Sequence, residues 1–273
     1  MNHHLEEDME LSKRYDLAIK ESLNNKPKNG VYYDENYKLA IVESMTDEEK
    51  KRFKGEYEKD YGNNRWKMCS VASSSRLCYL YFKYNNKKHE KPEFEVVLHN
   101  NGCNPHLDVL VDGCYCECKC HEIVGHHSVY MSRKTYESLL KQIFNIDLKP
   151  SDIHGDNIKL RFSMFKGLDV NKEYTCGKYF DFKQFICHII GILGIEKPTT
   201  YVGLQYVFFV PDNDQIEKHK LTNWRNSFEE MIDHLFSKLR NIELSSGATI
   251  GSCIDIKDPK FIKVLSLVDP FRE

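Results

Sequence analysis

No stretch of this chain approaches the ~20 consecutive apolar residues that a membrane-crossing helix requires. No leader-like apolar run is present in Met1 to Asn24, which is polar and charged. These two absences argue against a membrane-spanning or exported protein and give a reduced, cytoplasmic protein as the expectation. An excess of one charge is missing as well, since 39 Lys and Arg stand against 41 Asp and Glu, a net −2. An overall basic footprint, the usual mark of a nucleic-acid binder, is therefore absent. A local basic cleft remains open, because the field near a site decides binding. There is no internal repeat, and no low-complexity tract beyond the charged N-terminus. Cysteine, by contrast, is plentiful at ten residues. An even count invites a disulfide framework, but without a leader the thiols are expected to be free. A chain of 273 residues with 41% hydrophobic content can bury a core without them.

Helical character runs through residues 5–24 by way of Met9, Leu17 and Ala18, breaks at Asn24 to Gly30, and returns over residues 35–60. Thr46 followed three positions later by Glu49 has the form of a capping box, in which each side chain takes the other's free N–H. Residues 1–65 are expected to be a helical N-terminal extension, and residues 66–273 the main domain. Residues 67–84 pass from small to bulky apolar side chains and read as a buried helix. Phe94 to Leu98 is rich in strand formers, and Asn101 to Pro105 is a turn. His106 to Val111 and Cys114 to His121 alternate on either side of Asp112-Gly113, a strong hairpin signal. A helix is expected from Ser132, with Tyr136, Leu139, Leu140 and Ile143 on one face. Residues 146–178 read as irregular, with short strands near Ile158 to Phe162. Asp181 has the position of a cap for a helix burying Phe185, Ile186, Ile189, Ile190 and Leu193 and ending near Gly194. Tyr201 to Val210 suits a central strand covered on both faces, and Asn223 to Leu239 an amphipathic helix. Ala248 to Ile256 is expected as a last strand and Lys260 to Leu267 as a last short helix. The order gives an α/β fold with a mixed sheet.

The hairpin carries the chemistry. A two-residue turn at Asp112-Gly113 makes Val111 face Cys114, Val109 face Cys116 and Leu107 face Cys118. The opposite face then holds Asp108 across from Glu117, with Lys119 two positions on and pointing the same way. Carboxylates about 5 Å apart across a strand pair repel and raise each other's pKa. A divalent cation relieves that repulsion, and Mg²⁺ takes such oxygen ligands. Two carboxylates, a cation and an adjacent lysine suit phosphodiester hydrolysis. On a solvated hairpin face the same side chains would make only weak surface pairs.

Asp108 followed by Glu117-Cys118-Lys119 resembles the Asp…Glu-X-Lys signature of the PD-(D/E)XK nuclease superfamily. The surrounding segments extend the resemblance to its bacterial restriction-endonuclease-like members. Those segments are Ser73-Ser74-Ser75-Arg76-Leu77-Cys78, Phe94 to Leu98, Asn104 to Val109, Phe182-Lys183-Gln184-Phe185 and Leu204 to Val210, within about residues 66–240. The resemblance implies a restriction-endonuclease-like mixed β-sheet flanked by helices. It also implies Mg²⁺- or Mn²⁺-dependent cleavage of DNA, as an endonuclease of a restriction or defence system, and a homodimer. Asp108 and Glu117 would hold the metal, Lys119 would serve catalysis, and Gln184 would stand beside the site. The family's upstream acid has no counterpart in residues 67–84, and Glu95 or Glu93 is the substitute. Leu107 stands where the signature has proline, and His188 where exonuclease-like members have tyrosine four residues after the glutamine. A buried, capped polar residue is the alternative for Gln184.

Cys103, Cys114, Cys116, Cys118 and Cys120 lie close in sequence to His106, His121, His126 and His127. A structural zinc site usually takes tight Cys-x₂₋₄-Cys knuckles. Alternating cysteines on one strand are ~6.6 Å apart and cannot all close on one ion. Two of them with histidines could, but small buried hydrophobes are the favoured reading. A nucleic-acid-binding protein without catalysis and a zinc-stabilised interaction module are the rival functions.

Overall fold

The computed structural model of the chain describes residues 2–23, 45–58, 73–85, 91–100, 102–120, 124, 126–194 and 201–267. The break at Asn24 to Gly30, the start of the segment 67–84 and His121 lie outside them. Among the described residues, six strands make one mixed sheet. β1 (Glu93–Val97), β2 (His106–Val111) and β3 (Cys114–Lys119) form an antiparallel meander. Three short strands follow, β4 (Tyr130–Ser132), β5 (Ile153–His154) and β6 (Asn157–Lys159), and pair as a separate small sheet in the order β4-β6-β5. The chain then returns to the main sheet as β7 (Val202–Val210), parallel to β3. β8 (Ile254–Ile256) and β9 (Lys260–Lys263) share the far edge of β7, both parallel to it.

The hairpin turn is what its two residues require. Asp112 has φ 51° and Gly113 φ 71°, the paired positive values of a type I′ turn, whose twist matches that of the flanking strands. The register follows from it: Val111 pairs with Cys114 and Val109 with Cys116.

Helices cover both faces of the sheet. Among the described residues these are α1 (Asn2–Ser22), α2 (Asp47–Glu58), α3 (Ser74–Leu80, continued by a π-turn over Tyr81–Asn85), α4 (Arg133–Phe144), α5 (Phe182–Gly194), α6 (Asn213–Lys218), α7 (Thr222–Leu239) and α8 (Ile250–Cys253). α3 lies on the face of Phe94, Val109 and Cys118: the rings of Tyr79 and Phe94 are 5.1 Å apart. α5 lies on the other face. Burial on both sides explains why β7 is apolar apart from Gln205 and the Tyr206 hydroxyl, with Leu204 and Val207 wholly buried. The capping box at Thr46 forms: its N–H donates to Glu49 Oε2 at 2.8 Å and the Glu49 N–H donates to Thr46 Oγ1 at 3.2 Å. α1 packs through buried Tyr15, Ala18 and Ile19, and the Tyr15 hydroxyl donates to the Phe209 carbonyl at 3.0 Å.

Two C-terminal expectations are corrected. Lys260 to Leu267 is not a helix: Lys260–Lys263 is β9, and a 3₁₀ turn follows at Val264–Ser266. The reason lies in β7. β8 pairs only with Val202 to Leu204, which leaves the edge from Val207 to Val210 needing partners, and buried backbone groups must be bonded. Within Ala248 to Ile256, the chain makes a helical turn at Ile250–Cys253, and only Ile254–Ile256 is strand.

Candidate active site

Glu117 and Lys119 are two apart on β3, so both point to the α5 face. They are only 4% and 8% exposed, unusual for charged side chains unless they are paired. The pairing is closed and three-membered. Lys119 Nζ lies 2.8 Å from Glu117 Oε1 and donates to Gln184 Oε1 at 2.6 Å. Gln184 Nε2 donates to Glu117 Oε1 at 2.7 Å. The amide of Gln184 thus turns its donor end to the carboxylate and its acceptor end to the ammonium, a match that only a carboxamide can make. The start of α5 holds Gln184 in place, as Asp181 Oδ1 accepts its backbone N–H at 2.9 Å.

Asp108 occupies the end of the β2–β3 ladder. The paired register recorded between Val109 and Cys116 stops there. One step further on, Asp108 Oδ2 accepts the N–H of Cys118 at 2.6 Å. A side chain has replaced a main-chain carbonyl, and this ties the carboxylate to the segment between Glu117 and Lys119. Burial, then the charges of Glu117 and Glu95, raise the Asp108 carboxyl well above 3.8. The Cys118 N–H and Lys119 oppose that shift.

Glu95 falls on the same side of the sheet. Pairing of Phe94 with Val109 and of Val96 with Leu107 sets it opposite Asp108. Its φ of 51° is in the left-handed region, which costs a non-glycine residue about 1–2 kcal/mol. Glu93 is turned elsewhere, with Arg52 Nη1 donating to its Oε1 at 2.6 Å. Of the two acids considered for this role, Glu95 lies opposite Asp108 in the strand register and Glu93 pairs with Arg52 of α2.

A second layer backs the site. His188, one helical turn beyond Gln184, is 1% exposed. Its Nε2 is 3.0 Å from the His106 carbonyl oxygen and its Nδ1 2.9 Å from the Tyr206 hydroxyl. A carbonyl only accepts, so Nε2 carries the hydrogen and the Tyr206 hydroxyl donates to Nδ1. Burial lowers the histidine's pKa, against the pull of Glu117, and the ring is neutral. Its 3.7 Å approach to Glu117 Oε2 is consequently a contact with an N–H dipole and not an ion pair. Tyr206 stands beside Glu117 in the parallel β3–β7 register. Sequence reasoning passed over Tyr206. Its signal was a lone hydroxyl in the otherwise apolar interior of the β7 run.

Among the described residues, the other histidine and cysteine side chains do not join this group. His106 is exposed and contributes its carbonyl, and His126 pairs through its backbone with Lys178. Cys116, Cys118 and Cys120 are buried. Among the described residues, no group of three His, Cys, Asp or Glu side chains stands close enough together to hold a metal ion. No helix among them is long and apolar enough to cross a membrane. In comparison with known proteins, no family model, curated relative or solved structure matches the chain.

Proposed function

We propose that the protein is a metal-dependent nuclease that hydrolyses DNA phosphodiester bonds, with Asp108, Glu117 and Lys119 as its catalytic core. The observation that carries this reading is the meeting of Glu117, Lys119 and Gln184 in one buried triangle, with Asp108 bonded to the strand segment between the first two. The donor chemistry fits Mg²⁺ or Mn²⁺. Asp108 and Glu117 offer hard oxygen atoms, and Mg²⁺ commonly takes only one or two carboxylates beside water and phosphate oxygens. Burial first, and then the charges of Glu117 and Glu95, raise the Asp108 carboxyl, and a divalent cation would relieve the second of these. When bound, the ion would polarise the scissile phosphate and activate a water.

The chain's own residues do the rest. Lys119 holds a positive charge at the site and shares it between Glu117 and Gln184. Gln184 fixes the lysine's direction, and neutral His188 keeps Glu117 in place without cancelling its charge. On this reading the mixed sheet is restriction-endonuclease-like, DNA is the partner in the cytoplasm, and a pair of chains cuts the two strands of the duplex.

Supercoiled plasmid, incubated with Mg²⁺ or with a chelator, tests the proposal. The wild-type chain is expected to nick or linearise it only with the metal. Asp108→Ala and Lys119→Ala are each expected to lose cleavage by about 10²-fold or more, the scale of a lost electrostatic contact at a reacting centre, with an unchanged far-UV spectrum. Undiminished cleavage by either variant removes that residue from the mechanism. A wild-type chain that binds DNA and cuts none with either metal is a binding protein.

A further inference from the structure

On the far flank of α5, Tyr136 of α4 draws two thiols together. Cys103 Sγ, in the turn ahead of β2, and Cys187 Sγ, in α5, each lie 3.3 Å from its hydroxyl. Both sulfurs thus converge on one hydroxyl, and each is the largest influence on the other's thiol. The elements bearing them are locked in place. Asn100 and Cys103 exchange backbone hydrogen bonds at 2.9 and 2.7 Å, and Asn100 Nδ2 donates to the Ile190 carbonyl at 2.9 Å. Gly191 lets the turn lie this close, for a Cβ there would stand 2.5 Å from Pro105 Cγ.

The chemistry of the cluster is that of one shared anion. The neighbouring Cys187 thiol brings the Cys103 thiol down to about 6, burial opposes it, and the Tyr136 hydroxyl assists. Cys187 is pushed up by Cys103 and by burial, so the pair loses its first proton easily and its second with difficulty. A thiolate beside a second thiol is the arrangement that oxidants convert to a disulfide. Cys103 is 1% exposed, while Cys187 is half-buried and reachable.

We propose that Cys103 and Cys187 form an oxidant-sensitive dithiol that closes to a disulfide with a hydroperoxide. The thiolate of the pair attacks one peroxide oxygen. An S–O bond forms, the O–O bond breaks, and the departing hydroxide takes a proton and leaves as water. The sulfur of the other cysteine then attacks the oxidised sulfur. The S–S bond forms, the S–O bond breaks, and a second water leaves. Two thiols are oxidised by two electrons and one hydrogen peroxide is reduced. The other neighbouring thiols are poorer candidates. Cys114 and Cys116 are two apart on one strand, ~6.6 Å against the ~3.8 Å between Cβ atoms that a disulfide needs. Cys78 and Cys118 are both sealed in the core, and burial raises their thiols. The bond would join the turn leading into the Asp108 strand to the helix of Gln184 and His188, and its formation does not depend on the nuclease reading.

Treatment of the folded full-length chain with hydrogen peroxide, followed by thiol alkylation, digestion and mass spectrometry, is the test. The expected product is a Cys103–Cys187 cross-linked peptide, lighter by two hydrogens, that dithiothreitol separates and that Cys187→Ser does not form. Both cysteines fully alkylated after peroxide, a sulfenic acid on one of them that persists beside its alkylated partner, or cross-links confined to other cysteines would each overturn the proposal.

Discussion

Asp108 holds its place at a cost. Its carboxyl is raised well above 3.8 by burial and by Glu117 and Glu95, so between the unfolded and folded pKa values the native state binds more protons than the unfolded chain. Stability therefore falls as pH rises through that window, and above it the ionised group is a standing destabilisation. Asp108→Asn keeps an oxygen for the Cys118 N–H and removes the charge. In the presence of a chelator the variant is expected to be more stable than wild type at neutral pH, by about 1–2 kcal/mol. That advantage shrinks as the solution is made acid and Asp108 protonates. Thermal unfolding of both chains across that range checks it, and an advantage that grows toward acid contradicts the sign. At this scale Asp108, Glu117 and Lys119 were legible because a two-residue turn and strand alternation settle which face each occupies. Tyr206 was not, because a hydroxyl in a buried strand shows its purpose only when its acceptor, His188, is known.

α5 is the element on which the site depends. One face carries Gln184 and His188 at helical spacing toward the sheet, and its far end packs against the turn from Leu98 to Pro105. Gly191 and Gly194 allow that approach: a Cβ would stand 2.5 Å from Pro105 Cγ at the first and 2.0 Å from Asn100 side-chain atoms at the second. Gly191→Ala removes a glycine from a helix, a change that alone favours folding by about 1 kcal/mol. The clash with Pro105 and Leu98 costs about 1–3 kcal/mol, the usual scale of overpacking. The net expectation is a lower unfolding midpoint in denaturant, with the effect larger for Gly191→Val. A midpoint equal to or above wild type for Gly191→Ala would show that the turn yields freely. The helix itself, its Asp181 cap and its end near Gly194 were readable from apolar spacing. Its contact with the turn was not, since nothing local to either segment names the other.

The whole molecule is held by contacts distant in sequence. α1 inserts Tyr15 beside Trp224, with ring centroids 5.1 Å apart, and the Tyr15 hydroxyl reaches the Phe209 carbonyl of β7. Arg14 donates to the carbonyls of His219 and Lys220 past the end of α6, at 2.6 and 2.5 Å from Nη2. The N-terminal helix thus shares the core of the sheet. Tyr15→Ala is expected to cost about 3–5 kcal/mol, the range for removing a large buried ring, and to show as a marked fall in melting temperature. A change below about 1 kcal/mol, the usual scale of a surface substitution, would show that α1 is held by its polar contacts alone.

By itself the sequence determined what short-range physics governs: a hairpin set by Asp112-Gly113, caps at Thr46 and Asp181, and strand or helix wherever apolar spacing is regular over many residues. The tertiary structure decided everything that depends on distant partners. It made Lys260–Lys263 a strand, because the edge of β7 had backbone groups to satisfy, and it closed Gln184 onto Glu117 and Lys119 across 67 and 65 residues of chain. It also brought Cys103 to Cys187. Turn geometry and periodicity are encoded within a few residues, whereas a hydrogen bond between distant segments exists only once the chain between them has folded.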